Sequence, residues 1–196
     1  MKAAYNSPMA EKGFTDTDKG MKKILEEMKK LGQMYAKVGF PDNGDSTDGV
    51  RIAQYAFWNE NGVRVKEGKT LKQTGEWAVP PRPFFSQAYD NNQGQIKETG
   101  EKLVKQVANG KIDAKTAMRL NAENMINLIK LSIKNGNWEE NSEITINGIM
   151  GSDGKYFIRP KKSTKPLVNT GMMRDSVMYQ IFEDDTKVEE GGKKPG

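Results

Sequence analysis

The chain has no cysteine and no histidine among its 196 residues. Disulfides, zinc sites built on thiolate or imidazole, cysteine nucleophiles and Ser-His-Asp triads are excluded by that inventory. Long apolar runs are missing too: none approaches the roughly 18 residues that a membrane span needs, so no membrane partner is expected. Met1 to Gly13 lacks the apolar core of a signal peptide, and the expectation is a protein made and kept in a cytoplasm. Hydrophobic residues are also scarce, at 35%, with a mean hydropathy of -0.78. Such polarity in a chain long enough for one full domain points to long solvated loops, tails, or surfaces that meet other chains. The net charge of +5 is modest, and alone it says little about nucleic acid.

What is present divides at Val79-Pro80-Pro81-Arg82-Pro83-Phe84-Phe85. The prolines fix φ and hold each preceding residue extended, which makes a stiff spacer. Pro83 suits the first position of a helix, and Phe84 and Phe85 can anchor that helix below.

Ahead of the spacer, residues 1–15 read as a flexible arm. Met21, Ile24, Leu25, Met28 and Leu31 then recur at helical spacing. Met34, Ala36, Val38 and Phe40 alternate with a period of two, the mark of a strand with one buried face. The acidic loop Pro41-Asp42-Asn43-Gly44-Asp45 invites a cation, but its spacing does not fit the twelve-residue calcium loop. Magnesium-assisted hydrolysis by Asp42, Asp45 and Asp48 is the one enzymatic reading left, and a turn accounts better for carboxylates among glycines. Val50 to Asn61 reads as a short helix with Ile52, Ala53, Ala56 and Phe57 on its apolar face. Gly68-Lys69-Thr70 ends like a phosphate-binding loop, but the spacing back to Gly62 is one residue too long and no hydrophobic strand precedes it.

Beyond the spacer, Phe84 to Val107 reads as one long helix, weakened at Gly94 and Gly100. Asn109-Gly110 turns the chain, and Asp113 caps a second long helix. That helix carries Met118, Ala122, Met125, Ile129 and Ile133 on its main stripe, with Leu120, Leu128 and Leu131 on another face. The two helices are expected to lie antiparallel. Ile144, Ile146 and Ile149 read as a strand, with a hairpin turn at Gly151-Ser152-Asp153-Gly154 and a return through Tyr156 to Ile158. Arg159, Lys161, Lys162 and Lys165 form a dense basic run, either a solvated loop or a contact for nucleic acid or an acidic protein rim. Val177, Tyr179 and Ile181 form a last strand, and residues 183–196 read as a disordered acidic tail. The expected fold is α+β: one domain over residues 16–182, a small antiparallel sheet packed with an N-terminal helix and two long antiparallel helices.

Four stretches in this order resemble the tail-completion, or neck, proteins of long-tailed bacteriophages of the lambda and Mu type. They are Val38-Gly39-Phe40; Ala56-Phe57-Trp58-Asn59-Glu60-Asn61-Gly62; Pro80-Pro81-Arg82-Pro83-Phe84; and Lys165 to Gly171 with Met173-Arg174 and Ser176-Val177. The family usually has an aromatic where Asn61 stands, and often an aspartate where Asn169 stands. The resemblance implies a non-enzymatic structural virion protein without a cofactor or metal, found in the virion and in the host cytoplasm during assembly. It implies a homo-oligomeric ring, a hexamer among the candidates, between head connector proteins and the tail tube or tail terminator, with DNA passing through the channel. Such a ring joins subunits head to tail, so two different surfaces of each must match. Arg82, Arg159, Lys161, Lys162, Lys165 and Arg174 are the candidate interface residues. The competing reading is a free nucleic-acid-binding protein that uses Lys22, Lys23, Lys29 and Lys30 with the later basic run.

Overall fold

The computed structural model describes residues 19–40, 46–47, 50–64, 77–141, 143–158, 160, 166–167 and 171–192. Helix α1 (Lys19–Gln33) turns its Ile24, Met28 and Leu31 face inward and passes directly into strand β1 (Met34–Gly39). A two-strand ladder, β2 (Ser46–Thr47) with β3 (Val50–Arg51), feeds helix α2 (Ile52–Asn61). Strands β4 (Val63–Arg64) and β5 (Trp77–Val79) pair antiparallel, and the prolines then lead into α3 (Phe84–Asp90). Helices α4 (Gln93–Ala108) and α5 (Ala114–Asn135) follow, then the single turn α6 (Glu143–Asn147). The hairpin of β6 (Ile149–Met150) and β7 (Tyr156–Ile158), the short α7 (Met172–Asp175), and strands β8 (Met178–Glu183) and β9 (Thr186–Gly192) complete the order.

The architecture is α+β. A three-stranded antiparallel sheet in the order β1-β8-β9 lies against α5, which also touches α1, α3, α4 and α7. The register sets Ala36 opposite Ile181 and Val38 opposite Tyr179, and Ile181 is fully buried. Ala122, Ile126, Ile129 and Ile133 of α5 complete this core with Phe84 and Val177. A smaller cluster of Leu103, Val107 and Ala117 receives Met28 and Leu31 from α1. Leu120 and Leu131 stay exposed, so of the second leucine face only Leu128 is covered. Helices α4 and α5 pack together across a turn at Gly110, whose φ of 65° suits glycine.

Two carboxylates fix the start of α5. Asp113 accepts from the Thr116 amide at 2.6 Å, the capping role expected of it, and Glu27 of α1 reaches across to the Ala114 amide at 2.9 Å. The free amides and the helix dipole favour anions there. The bond from the Ala114 amide holds the Glu27 carboxyl below its ordinary value, as the Thr116 amide does for Asp113. A depressed folded-state value adds stability that is present above the unfolded value and lost as pH falls through the folded one. We expect Glu27→Gln to cost about 1 kcal/mol at pH 6. The gap from the native chain should narrow as pH falls from 6 to about 2, as the native carboxylate is protonated in its turn. Urea titrations at both pH values check this; an equal gap at both would remove Glu27 from the cap.

Three expectations are corrected by the backbone. The long helix over Phe84 to Val107 is broken at Asn91-Asn92, where the Asn92 side chain donates to the Ala88 carbonyl at 2.8 Å and its amide turns to Tyr89. Gly94 and Gly100 sit inside α4 with open space around them. Residues 143–147 are one helical turn, and the strand begins only at Ile149. Half of the tail expected to be disordered forms β9, paired with β8 from Thr186 to Gly192. Its tip, Asp184-Asp185, has φ of 45° and 62°, the left-handed pair of a tight hairpin turn. Gln33 donates to Asp184 at 3.3 Å and the Tyr35 hydroxyl to Asp185 at 2.9 Å. Farther along, Tyr179 lies over Gly191, where a Cβ would stand 2.5 Å from its hydroxyl, and donates to Glu189 at 2.9 Å. Lys115 of α5 pairs with the same carboxylate at 3.1 Å. Burial, then Glu189, pushes the Tyr179 phenol up to about 12. Burial alone would raise Glu189, but Lys115 and Tyr179 together bring it below its ordinary value. The expected arm over residues 1–15 lies outside the described residues.

Candidate functional site

Arg82 sits at a joint rather than on a surface. Its amide donates to the Asn59 carbonyl at 2.6 Å, which ties the proline stretch to the last turn of α2. The guanidinium then spreads over oxygen acceptors: Asn59 Oδ1 at 3.1 Å, the Glu139 carbonyl at 3.2 Å, Asn141 Oδ1 at 3.3 Å and the Glu140 carbonyl at 3.4 Å. Only 3% of the residue is exposed, which corrects its assignment to an interface. Burial pulls the guanidinium below its ordinary value and the charge of Glu139 acts the other way; an arginine stays protonated through such a shift. A planar fork of five donors can reach four acceptors spread around it, whereas a lysine offers three donors from a single nitrogen.

Glu60, one residue along α2, performs a second function at this joint. Its carboxylate accepts from the Phe85 amide at 2.8 Å, the Ser86 amide at 3.0 Å and the Ser86 hydroxyl at 2.6 Å. Those are free donors at the start of α3, so the end of one helix caps the beginning of the next. Gly62, with φ of 74°, lets the Trp77 ring and the Pro81 backbone close over it. Asn59 and Glu60 stand in the second stretch of the resemblance, but their partners lie more than twenty residues on, so spacing alone could not reveal the joint.

Phe57, expected on the buried face of α2, is instead 64% exposed, because Ile52 and Ala56 supply the packed side. Other exposed apolar residues include Leu25 at 61%, Met150 at 56% and Met21 at 51%.

Arg174 is half-exposed and holds Asp175 in a two-point pair at 3.0 and 3.1 Å, which raises the guanidinium value. With Ile133, Lys134, Leu167 and Gly171 it lines a shallow depression. Arg159, Lys161, Lys162 and Lys165 lie outside the described residues, as do residues 65–76 and Asp42, Asp45 and Asp48. The six candidate interface residues therefore divide into one buried at the joint, one at the surface, and four beyond the described backbone.

Among the described residues no group of three or more acidic side chains is placed to hold a metal ion, and no helix is long and apolar enough to cross a membrane. No protein-family model, curated protein or solved structure matches the chain.

Proposed function

We propose that this chain is a structural protein of a tailed-phage virion, assembling as a ring that joins tail to head. The observation that carries the reading is the meeting of its four signature stretches. Val38 and Phe40, then Ala56, then Phe84, then Leu167, Met173 and Val177 all belong to one hydrophobic cluster. Phe40 and Phe84, from the first and third stretches, meet edge to face at 6.1 Å. Arg82 and Asn59 join the third and second by hydrogen bonds. Motifs that define a shape rather than a reaction are expected to converge in this way, as packing and not as a cleft.

The test is assembly. Purified protein should form a ring-sized species by native mass spectrometry, alone or with isolated tails, and should restore head joining to tails that lack it. Charge reversal at Arg159, Lys161 and Lys162 is expected to abolish joining while the variant keeps the native melting curve. Normal infectivity in that variant would remove the basic run from the interface. A protein that binds neither itself nor tails, but binds DNA with a steep salt dependence, would replace the reading with the nucleic-acid one.

A further inference from the structure

This inference rests on the head-to-tail ring and concerns the surfaces that close it. Helix α1 holds five lysines against two glutamates, and one of those glutamates, Glu27, is turned inward to the Ala114 amide. Its outer side presents Leu25, 61% exposed, with Lys29 one turn along and Lys22 beside them, also exposed. A basic helix face with an apolar centre fits an acidic surface.

The described residues hold two acidic clusters of note. Around the β8–β9 hairpin four carboxylates are engaged within the chain: Asp184 by Gln33, Asp185 by Tyr35, Glu189 by Lys115 and Glu190 by Lys187. The other is the segment that Arg82 pins by its backbone carbonyls. There Glu139, Glu140 and Glu143 are exposed, with no basic residue between them and no ion pair among the described residues. Arg82 holds the segment through the Glu139 and Glu140 carbonyls and Asn141 Oδ1, so the side-chain carboxylates take no hydrogen bond from it, although the charge of Glu139 is felt at the guanidinium.

The two surfaces lie at opposite ends of α5. Helix α1 docks at Ala114 and Ala117, and the acidic segment follows Asn135, with 22 helical residues between. At about 1.5 Å per residue the separation is roughly 30 Å, so one subunit cannot satisfy both, whereas a head-to-tail neighbour can. We infer that the Leu25, Lys22 and Lys29 face of α1 docks on the Glu139, Glu140 and Glu143 segment of a second copy of this chain.

Sedimentation velocity on four full-length proteins tests this: native, Lys22→Glu with Lys29→Glu, Glu139→Lys with Glu140→Lys, and all four changes together. Each two-site reversal should raise the subunit dissociation constant by about 30-fold or more, since like charges brought together cost several kcal/mol. The four-site chain should recover most of the native affinity. Neutral versions with glutamine at the same positions should weaken association less, and they serve as the measurement if a reversal variant melts early. A native oligomer that ignores both reversals, or a four-site chain no better than either alone, overturns this interface and leaves the ring reading standing. The same holds if reversal on α1 abolishes DNA binding and leaves the oligomer intact. A native protein that is monomeric both alone and on isolated tails overturns the ring and this inference together.

Discussion

Arg82→Ala should lower the unfolding free energy by about 2–4 kcal/mol, the range for breaking a buried hydrogen-bonded group. The truncation removes the donors that now meet Asn59, Glu139, Glu140 and Asn141, while the amide bond to Asn59 survives any substitution. Arg82→Lys keeps the charge and loses the fork, so it should recover less than half of the loss. Urea denaturation gives the size, and hydrogen exchange gives the place. Amides over residues 139–147 should open well before the core, because the clamp on their backbone is gone. A loss below about 1 kcal/mol, with those amides still protected, would mean that the clamp contributes little.

The second large effect belongs to Phe84, which is 1% exposed and packs edge-on against Phe40. Phe84→Ala should cost about 3–5 kcal/mol through lost burial and the cavity left behind. At this chain length that is a fall of roughly 6–20 °C in Tm. Phe84→Leu, which keeps most of the volume, should cost less than about 2 kcal/mol. Similar losses for the two would show that the ring itself, with its edge contact to Phe40, and not the volume it fills, carries the stability.

Much of the helical frame was legible. The α5 stripe repeats through Ala122, Ile129 and Ile133 over many turns, and long repetition is what makes a period readable. Its cap at Asp113 needed only a residue type in the right place. Where a signal was short, it misled. Ile144 and Ile146 alternate as a strand would, yet two residues cannot distinguish that from one helical turn. The glycines drew attention as weak points, but the break came at Asn91-Asn92, where a side-chain amide competes for backbone oxygen.

The C-terminal hairpin was hidden for a different reason. Strand β9 contributes Val188 as its one branched apolar residue, and composition reports burial, not backbone pairing. Its hold on the fold comes from the ladder with β8 and from the Tyr179–Glu189–Lys115 contact, none of which leaves a periodic trace. Arg82 was misjudged by the same logic: an arginine among prolines reads as surface until the four oxygens around it are seen.

The pairing of Met34 with Glu183 has a consequence for synthesis. As the nascent chain leaves the ribosome, β1 emerges before β8 and waits without its neighbour until the helices and strands between them have been translated. Closing so wide a loop is slow, and an unpaired apolar edge is open to wrong partners meanwhile. Helix α5, synthesised midway, can cover the inner face of β1 during the delay. Ribosome-stalled fragments long enough to bring α5 clear of the exit tunnel, but lacking β8, should therefore already shield β1 from protease.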